Sequence, residues 1–227
     1  MADLPKSSRA LFLEKCELVD LHRRDVLAQS GQSVEFGYFP IDSFVAAILN
    51  LEDTSDMQVD LTGNEGMVNL SLALGSRKSS WTCVVQGAGR AFRIHHDDLE
   101  KRLGADPFLR GVLNRYIALR MDQPARNMVC AICHTVEQRL ARLLLLIRDR
   151  AHSIELLLTH EVLALMLGVR RESVTQAASS LQKHGLISYS RGDLMLLDEP
   201  RLEQAACKCY QNDLAAYART MGHYTSN

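Results

Sequence analysis

Nowhere among the 227 residues is there an uncharged apolar run long enough to cross a bilayer. The N-terminal segment, with Asp3, Lys6, Arg9, Glu14 and Lys15, lacks the apolar stretch of an export signal. A cytoplasmic protein without a membrane partner is therefore expected. Net charge at pH 7 is only −1, which excludes a polycation that coats nucleic acid unselectively. Six cysteines (Cys16, Cys83, Cys130, Cys133, Cys207 and Cys209) are too few for a disulfide scaffold in a chain of this length, and read as thiols. Catalytic signatures are also missing. There is no glycine-rich phosphate loop, nucleophile elbow or pair of catalytic carboxylates, and His95-His96 would point to opposite faces of a strand instead of forming a His-x-His metal pair. No enzyme activity and no cofactor are expected.

What is present is apolar patterning that changes period along the chain. With 47% hydrophobic residues, 227 residues suffice for two small cores. Leu11, Phe12, Cys16 and Leu18 suggest a short N-terminal helix. From about residue 25, Val26, Val34, Phe36, Tyr38, Phe39, Phe44, Val45, Ile48, Met57, Val59 and Leu61 lie in short segments. Gly31, Pro40, Asp53, Gly63 and Gly66 separate them, and further segments follow near 81–86 and 90–94. This spacing predicts an antiparallel β-roll or jelly roll over residues 1–105. Beyond Asp97 the period turns helical. Leu109, Val112, Leu113, Tyr116, Leu119 and Gln123 recur at threes and fours over a long helix at 106–134, and this stripe is the expected homodimer seam. Pro124 predicts a kink or a split into two helices. A capping box at Thr135 and Gln138 opens the next helix and sets a third region, residues 135–227.

Residues 159–184 carry the clearest pattern. Thr159 can cap a first helix whose Val162, Leu163, Met166 and Leu167 share a face; Ala164 is small where a second helix must cross; Gly168 suits a turn with positive φ. Val169, Val174, Ala177, Ala178 and Leu181 then form the buried side of that second helix. Its other face holds Arg170, Arg171, Glu172, Thr175 and Gln176, side chains able to read base edges or phosphates in a major groove. Between residues 139 and 191 there are eight basic and four acidic residues, so positive charge gathers in this part of an otherwise acidic chain. Leu186 to Tyr189 and Leu194 to Leu197 flank Ser190-Arg-Gly-Asp193, a hairpin wing. Asp198 and Pro200 open a last helix with Leu202, Ala205, Ala206, Leu214, Ala215 and Tyr217 on its apolar side.

The order of β-roll, long helix and winged helix-turn-helix resembles the Crp/Fnr family of bacterial transcription regulators. The resemblance is strongest over 135–197, in Glu-Gln-Arg-Leu-Ala-Arg at 137–142, Leu-Thr-His-Glu-Val at 158–162, Leu-Gly-Val-Arg-Arg-Glu-Ser-Val at 167–174 and Gly-Leu-Ile-Ser-Tyr at 185–189. It implies an α+β fold and a homodimer on double-stranded DNA with an inverted-repeat operator. If the protein activates, it implies RNA polymerase as a further partner. By resemblance Arg171 reads guanine, Glu172 accepts from cytosine or orients Arg171, and Gln176 reads a further base. Arg170 stands where the family often has a capping hydroxyl, which favours a phosphate contact. Thr159, Arg170, Arg171, Glu172, Thr175, Gln176, Lys183 and Arg191 are the candidate DNA-binding residues. The N-terminal half matches only in outline: the glutamate that follows glycine in cyclic-nucleotide binders is missing from Glu-Gly-Met-Val-Asn-Leu at 65–70, while Arg77, Lys78, Ser79 and Ser80 are left as a candidate effector-binding segment. An effector other than cyclic AMP, or a regulator answering to a partner protein or to thiol state, are the two readings of this half.

Cys130-Ala-Ile-Cys133-His134 has the form of a covalent haem motif, but no export signal accompanies it. Cys130, Cys133 and His134 share a helical face and are read as packing thiols, with a shared metal geometrically possible. Cys207 and Cys209, two apart on one helix, would diverge. No metal is expected.

Overall fold

The computed structural model describes residues 4–49 and 56–222. The turn expected at Asp53 lies outside them. The chain opens with helix α1 (Lys6–Leu13), which buries Phe12 edge-on against Phe39 at 5.1 Å between ring centroids. The apolar stretch that follows is not more helix: Glu17–Leu21 is strand β1, because it pairs with a strand 70 residues further on and tertiary pairing overrides local pattern.

Strands β1, β2 (Val26–Ala28), β3 (Phe36–Pro40), β4 (Phe44–Leu49), β5 (Met57–Thr62), β6 (Thr82–Gly87) and β7 (Gly89–His95) form two antiparallel sheets, ordered β1-β7-β3 and β2-β6-β4-β5. Together they make the expected roll. Its interior is filled by Val45, Ala47, Met67, Leu72, Val85 and Ile94, all buried. After helix α2 (His96–Ala105), Asp106 caps α3 (Pro107–Cys133) by accepting from the amides of Phe108 and Leu109 at 3.0 Å. The helix runs unbroken through Pro124.

The stripe expected as the dimer seam on α3 packs against the sheets of its own chain. Leu109, Val112, Leu113, Tyr116 and Leu119 are each at most 8% exposed and belong to the core of the protomer's own roll. The Tyr116 hydroxyl rests against Gly66, where a Cβ would stand 1.8 Å from it, so only glycine permits the approach. Gln123 is half-buried and bonds Asn127 and Asp213. These residues have a partner within the chain, the sheets, which the helical period alone does not reveal.

The capping box forms as expected, with Gln138 N–H donating to Thr135 Oγ1 and Thr135 N–H to Gln138 Oε1, and starts α4 (Val136–Ala151). A short strand β8 (Glu155–Leu157), helices α5 (His160–Leu167) and α6 (Arg171–Lys183), and the hairpin β9 (Ile187–Ser190) and β10 (Asp193–Leu196) follow. The wing is three-stranded, ordered β8-β10-β9, because β8 adds to the hairpin. The expected last helix is two. Helix α7 (Glu199–Ala205) stops where Ala206 turns extended, and α8 (Cys209–Met221) leaves along α3, burying Ala216 and Met221 in the core of the roll. In return Phe44 and Leu61 of the roll are buried in the second core.

Candidate nucleic-acid interface

Helices α5 and α6 meet through Leu163, Val174 and Leu181, none of which is exposed, with Ala164, Ala177 and Ala178 allowing the close crossing. Burying each large aliphatic side chain contributes about 1.5–3 kcal/mol, which fixes the angle at which α6 is presented. The joint is Gly168 at φ 62°, a conformation that strains any side chain. Thr159 caps α5 by accepting from Val162 N–H at 3.3 Å, so its hydroxyl is engaged by the backbone.

The opposite face of α6 is open. Arg170, Arg171, Glu172, Thr175, Gln176 and Lys183 are all exposed, as is Arg191 at the wing tip, where Arg191 and Gly192 take positive φ and close the β9–β10 turn. Glu172 lies in the first turn, where the positive end of the helix dipole favours a carboxylate, and Lys183 lies in the last turn, where a cation is favoured. Arg170 occupies the N-cap without a side-chain cap, leaving its guanidinium free of that role.

Four contacts around this face do not follow from helical period. Arg171 Nε is paired at 2.9 Å with Glu161 of α5, not with Glu172. Thr175 Oγ1 lies 2.9 Å from His160 Nδ1, and the His160 ring stacks on Tyr189 of the wing at 4.3 Å and 13°. Tyr189 N–H in turn donates to Gln182 Oε1. Burial, with the Arg171 charge nearby, lowers the pKa of His160, so a neutral imidazole links α5, α6 and the wing. The signal in the sequence is Leu-Thr-His-Glu-Val at 158–162, which gives the helix cap, the apolar face and part of the resemblance but no role for His160.

Arg77 and Lys78 are exposed, Arg77 is paired with Asp97 at 3.0 Å, and the Ser79 hydroxyl donates to Trp81 C=O within its own turn. Glu65 is committed elsewhere, its carboxylate facing Arg150 of α4 at 3.1 Å and Arg120 of α3 at 3.9 Å. A cavity of about 450 Å³ lies between the roll and α3, with Phe39, Met67, Phe92 and Leu113 on its walls. At the end of β7, His95 and His96 are not on opposite faces of a strand. Their rings lie 4.2 Å apart because His96 already begins α2.

The site is thus a helix-turn-helix with an open basic face, flanked by a wing and joined to a β-roll. Residues 138–205 match the model of the Crp-like helix-turn-helix domain. Among solved structures, FixK2 from Bradyrhizobium japonicum is similar at a TM-score of 0.71 and 17% identity, covering 85% of this chain and 98% of that one. The c-di-GMP responsive global regulator CLP of Xanthomonas campestris is similar at 0.67 and 17% identity, covering 86% and 100%. A CRP-family transcriptional regulator of Thermus thermophilus is similar at 0.65 and 19%, covering 83% and 96%. No curated protein sequence matches the chain. The C-terminal region is thus similar to the Crp-like helix-turn-helix domain, and the whole chain has the fold of these structures. Among the described residues no helix is long and apolar enough to cross a membrane.

Proposed function

We propose that the protein is a cytoplasmic, homodimeric regulator that reads an inverted-repeat operator through α6. The observation that carries this is the open face of that helix, with Arg171 held in place by Glu161 and with Lys183 and Arg191 at its flanks. Arginine matches guanine O6 and N7, glutamate accepts from cytosine, and glutamine matches adenine, so Arg171, Glu172 and Gln176 are assigned to bases; Arg170, Thr175, Lys183 and Arg191 are assigned to phosphates. The working division is a roll at 1–105, a dimer helix at 106–134 and a DNA-binding region at 135–227, with α8 lying back on α3.

The dimer seam is reassigned to the other face of α3. Gly111, Asn114, Ala118, Met121, Ala125, Met128 and Ile132 are spaced alternately three and four apart, the heptad of a two-stranded coiled coil. Met121 and Ile132 are each 76% exposed, apolar surface that a second copy covers. Small residues alternating with methionines permit close approach of two helices. The effector is assigned to something other than cyclic AMP, with the cavity between roll and α3 as its candidate seat. RNA polymerase is a partner if the protein activates.

Selection from sheared genomic DNA tests this reading. The wild-type protein should enrich fragments sharing one inverted repeat, and the Arg171→Ala variant should enrich the same repeat less strongly, with one base pair per half-site relaxed. Enrichment indistinguishable from random fragments for the wild type would count against it.

A further inference from the structure

Four side chains that the open face of α6 does not use converge at the end of α3 and the break between α7 and α8. Cys130 sits in the last turn of α3 and His134 one turn on, at its C-cap, so both lie on one side of the helix. Cys207 and Cys209 straddle the break between α7 and α8, and since Ala206 is extended they do not diverge as they would on one helix. Cys130 Sγ lies 3.5 Å from Cys207 Sγ, and Cys209 Sγ lies 3.7 Å from His134 Nδ1. All four donor atoms are within 4.8 Å of one another. Cys133, expected on the same face, is exposed and stands outside the group.

We propose that Cys130, His134, Cys207 and Cys209 form a mononuclear site for a thiophilic divalent cation of the zinc class. Metal–sulfur bonds of about 2.3 Å in a tetrahedron place sulfurs about 3.8 Å apart, close to the spacings found. Three thiolates and an imidazole are a donor set that favours zinc over the hard cations magnesium and calcium. The donors are too tightly gathered to straddle an iron–sulfur cluster. Cys130 and Cys207 are buried while His134 and Cys209 are half-buried, so the group has a dry floor and a path of entry. The helices that carry it are pinned beside it: Asp213 of α8 accepts from Arg142 of α4 at 2.5 Å and from Arg126 of α3 at 3.2 Å. Binding replaces the thiol protons of the three cysteines by the ion, with the protons released to solvent. The bound ion cross-links the end of α3 to the start of α8, where the DNA-binding region joins the long helix.

The test is metal uptake by the full chain, independent of any DNA. Reduced protein stripped by a chelator and titrated with cobalt(II) should take up about one ion per chain and develop the thiolate charge-transfer and tetrahedral ligand-field absorption of a cobalt–sulfur site. Zinc(II) should displace the cobalt and raise the Tm, as any ligand that binds only the folded state must. The Cys209→Ser and His134→Ala variants, at half-buried positions, should lose the spectrum and the Tm rise, while Cys133→Ser and Cys16→Ser keep both. Absence of the cobalt–thiolate spectrum in the reduced native protein would overturn the site. So would a spectrum that survives Cys209→Ser and His134→Ala, which places the ion elsewhere. Because uptake and DNA binding are read separately, failure of one leaves the other standing.

Discussion

Arg171 and Glu161 are each about three-fifths exposed, and an ion pair so open to water contributes about 0–1 kcal/mol to stability. Its role is orientation. Arg171→Ala should therefore cost about 1–3 kcal/mol of operator affinity and relax preference at one base pair per half-site, while leaving random-DNA affinity nearly unchanged. Glu161→Gln should leave Tm within experimental scatter and reduce discrimination by less than Arg171→Ala does. Equal losses on operator and random duplex, measured by fluorescence anisotropy, would remove the base-reading role. His160 gives a pH dependence with a definite sign. Its folded pKa lies below the ordinary value near 6.5, so the unfolded chain binds the proton more tightly. The stabilising bias toward the fold is complete above that ordinary value and is lost as pH falls through the folded pKa. Thermal scans at descending pH should show a smaller decline for His160→Gln than for wild type; identical slopes would mean that His160 titrates without consequence. The open face of α6 was legible in the sequence because helical period, Ala164 and Gly168 fix it locally. Glu161, His160 and Tyr189 were not, since their meeting depends on how α5, α6 and the wing pack.

Helix α3 carries two apolar stripes, and spacing alone cannot say which one faces the chain's own sheets. The larger residues went inward: Leu109, Val112, Leu113, Tyr116 and Leu119 meet the roll, while Met121, Met128 and Ile132 remain open. Substitution separates the two. Met121→Asp, on the exposed face, should yield a folded monomer with much weakened operator binding, because like charges then oppose across the seam. Leu113→Asp, at a position 5% exposed, should instead lower Tm steeply by burying an unpaired carboxylate. Sedimentation of both variants checks this; a Met121→Asp protein that stays dimeric places the seam elsewhere. Of the two outcomes expected at Pro124, the split into two helices does not occur: α3 continues through it, and Gln123, Arg126 and Asn127 on its flanks are tied into the Asp213 and Arg142 network.

At the scale of the whole molecule the two cores interlock. Phe44 and Leu61 of the roll enter the DNA-binding core, Ala216 and Met221 return to the roll, and Glu65 pairs with Arg150 across the join. Order and class of the elements were legible because each region has its own period. The return of α8 was not, since Cys207-Lys-Cys209 reads as helix when the break at Ala206 is invisible. With Glu65 committed to arginines and Arg77 to Asp97, a ribose hydroxyl buried in the roll would lack its acceptor, a loss of about 1–3 kcal/mol. Cyclic AMP at micromolar concentration should leave operator affinity unchanged, and saturable binding abolished by Arg77→Ala would reverse that assignment. A two-fold dimer presenting two copies of α6 should show itself when the protein is footprinted at saturation on its selected operator. Two protomers per duplex and two protected half-sites centred about 34 Å apart on one face of the DNA are expected. Protection of a single asymmetric half-site by one protomer would contradict it.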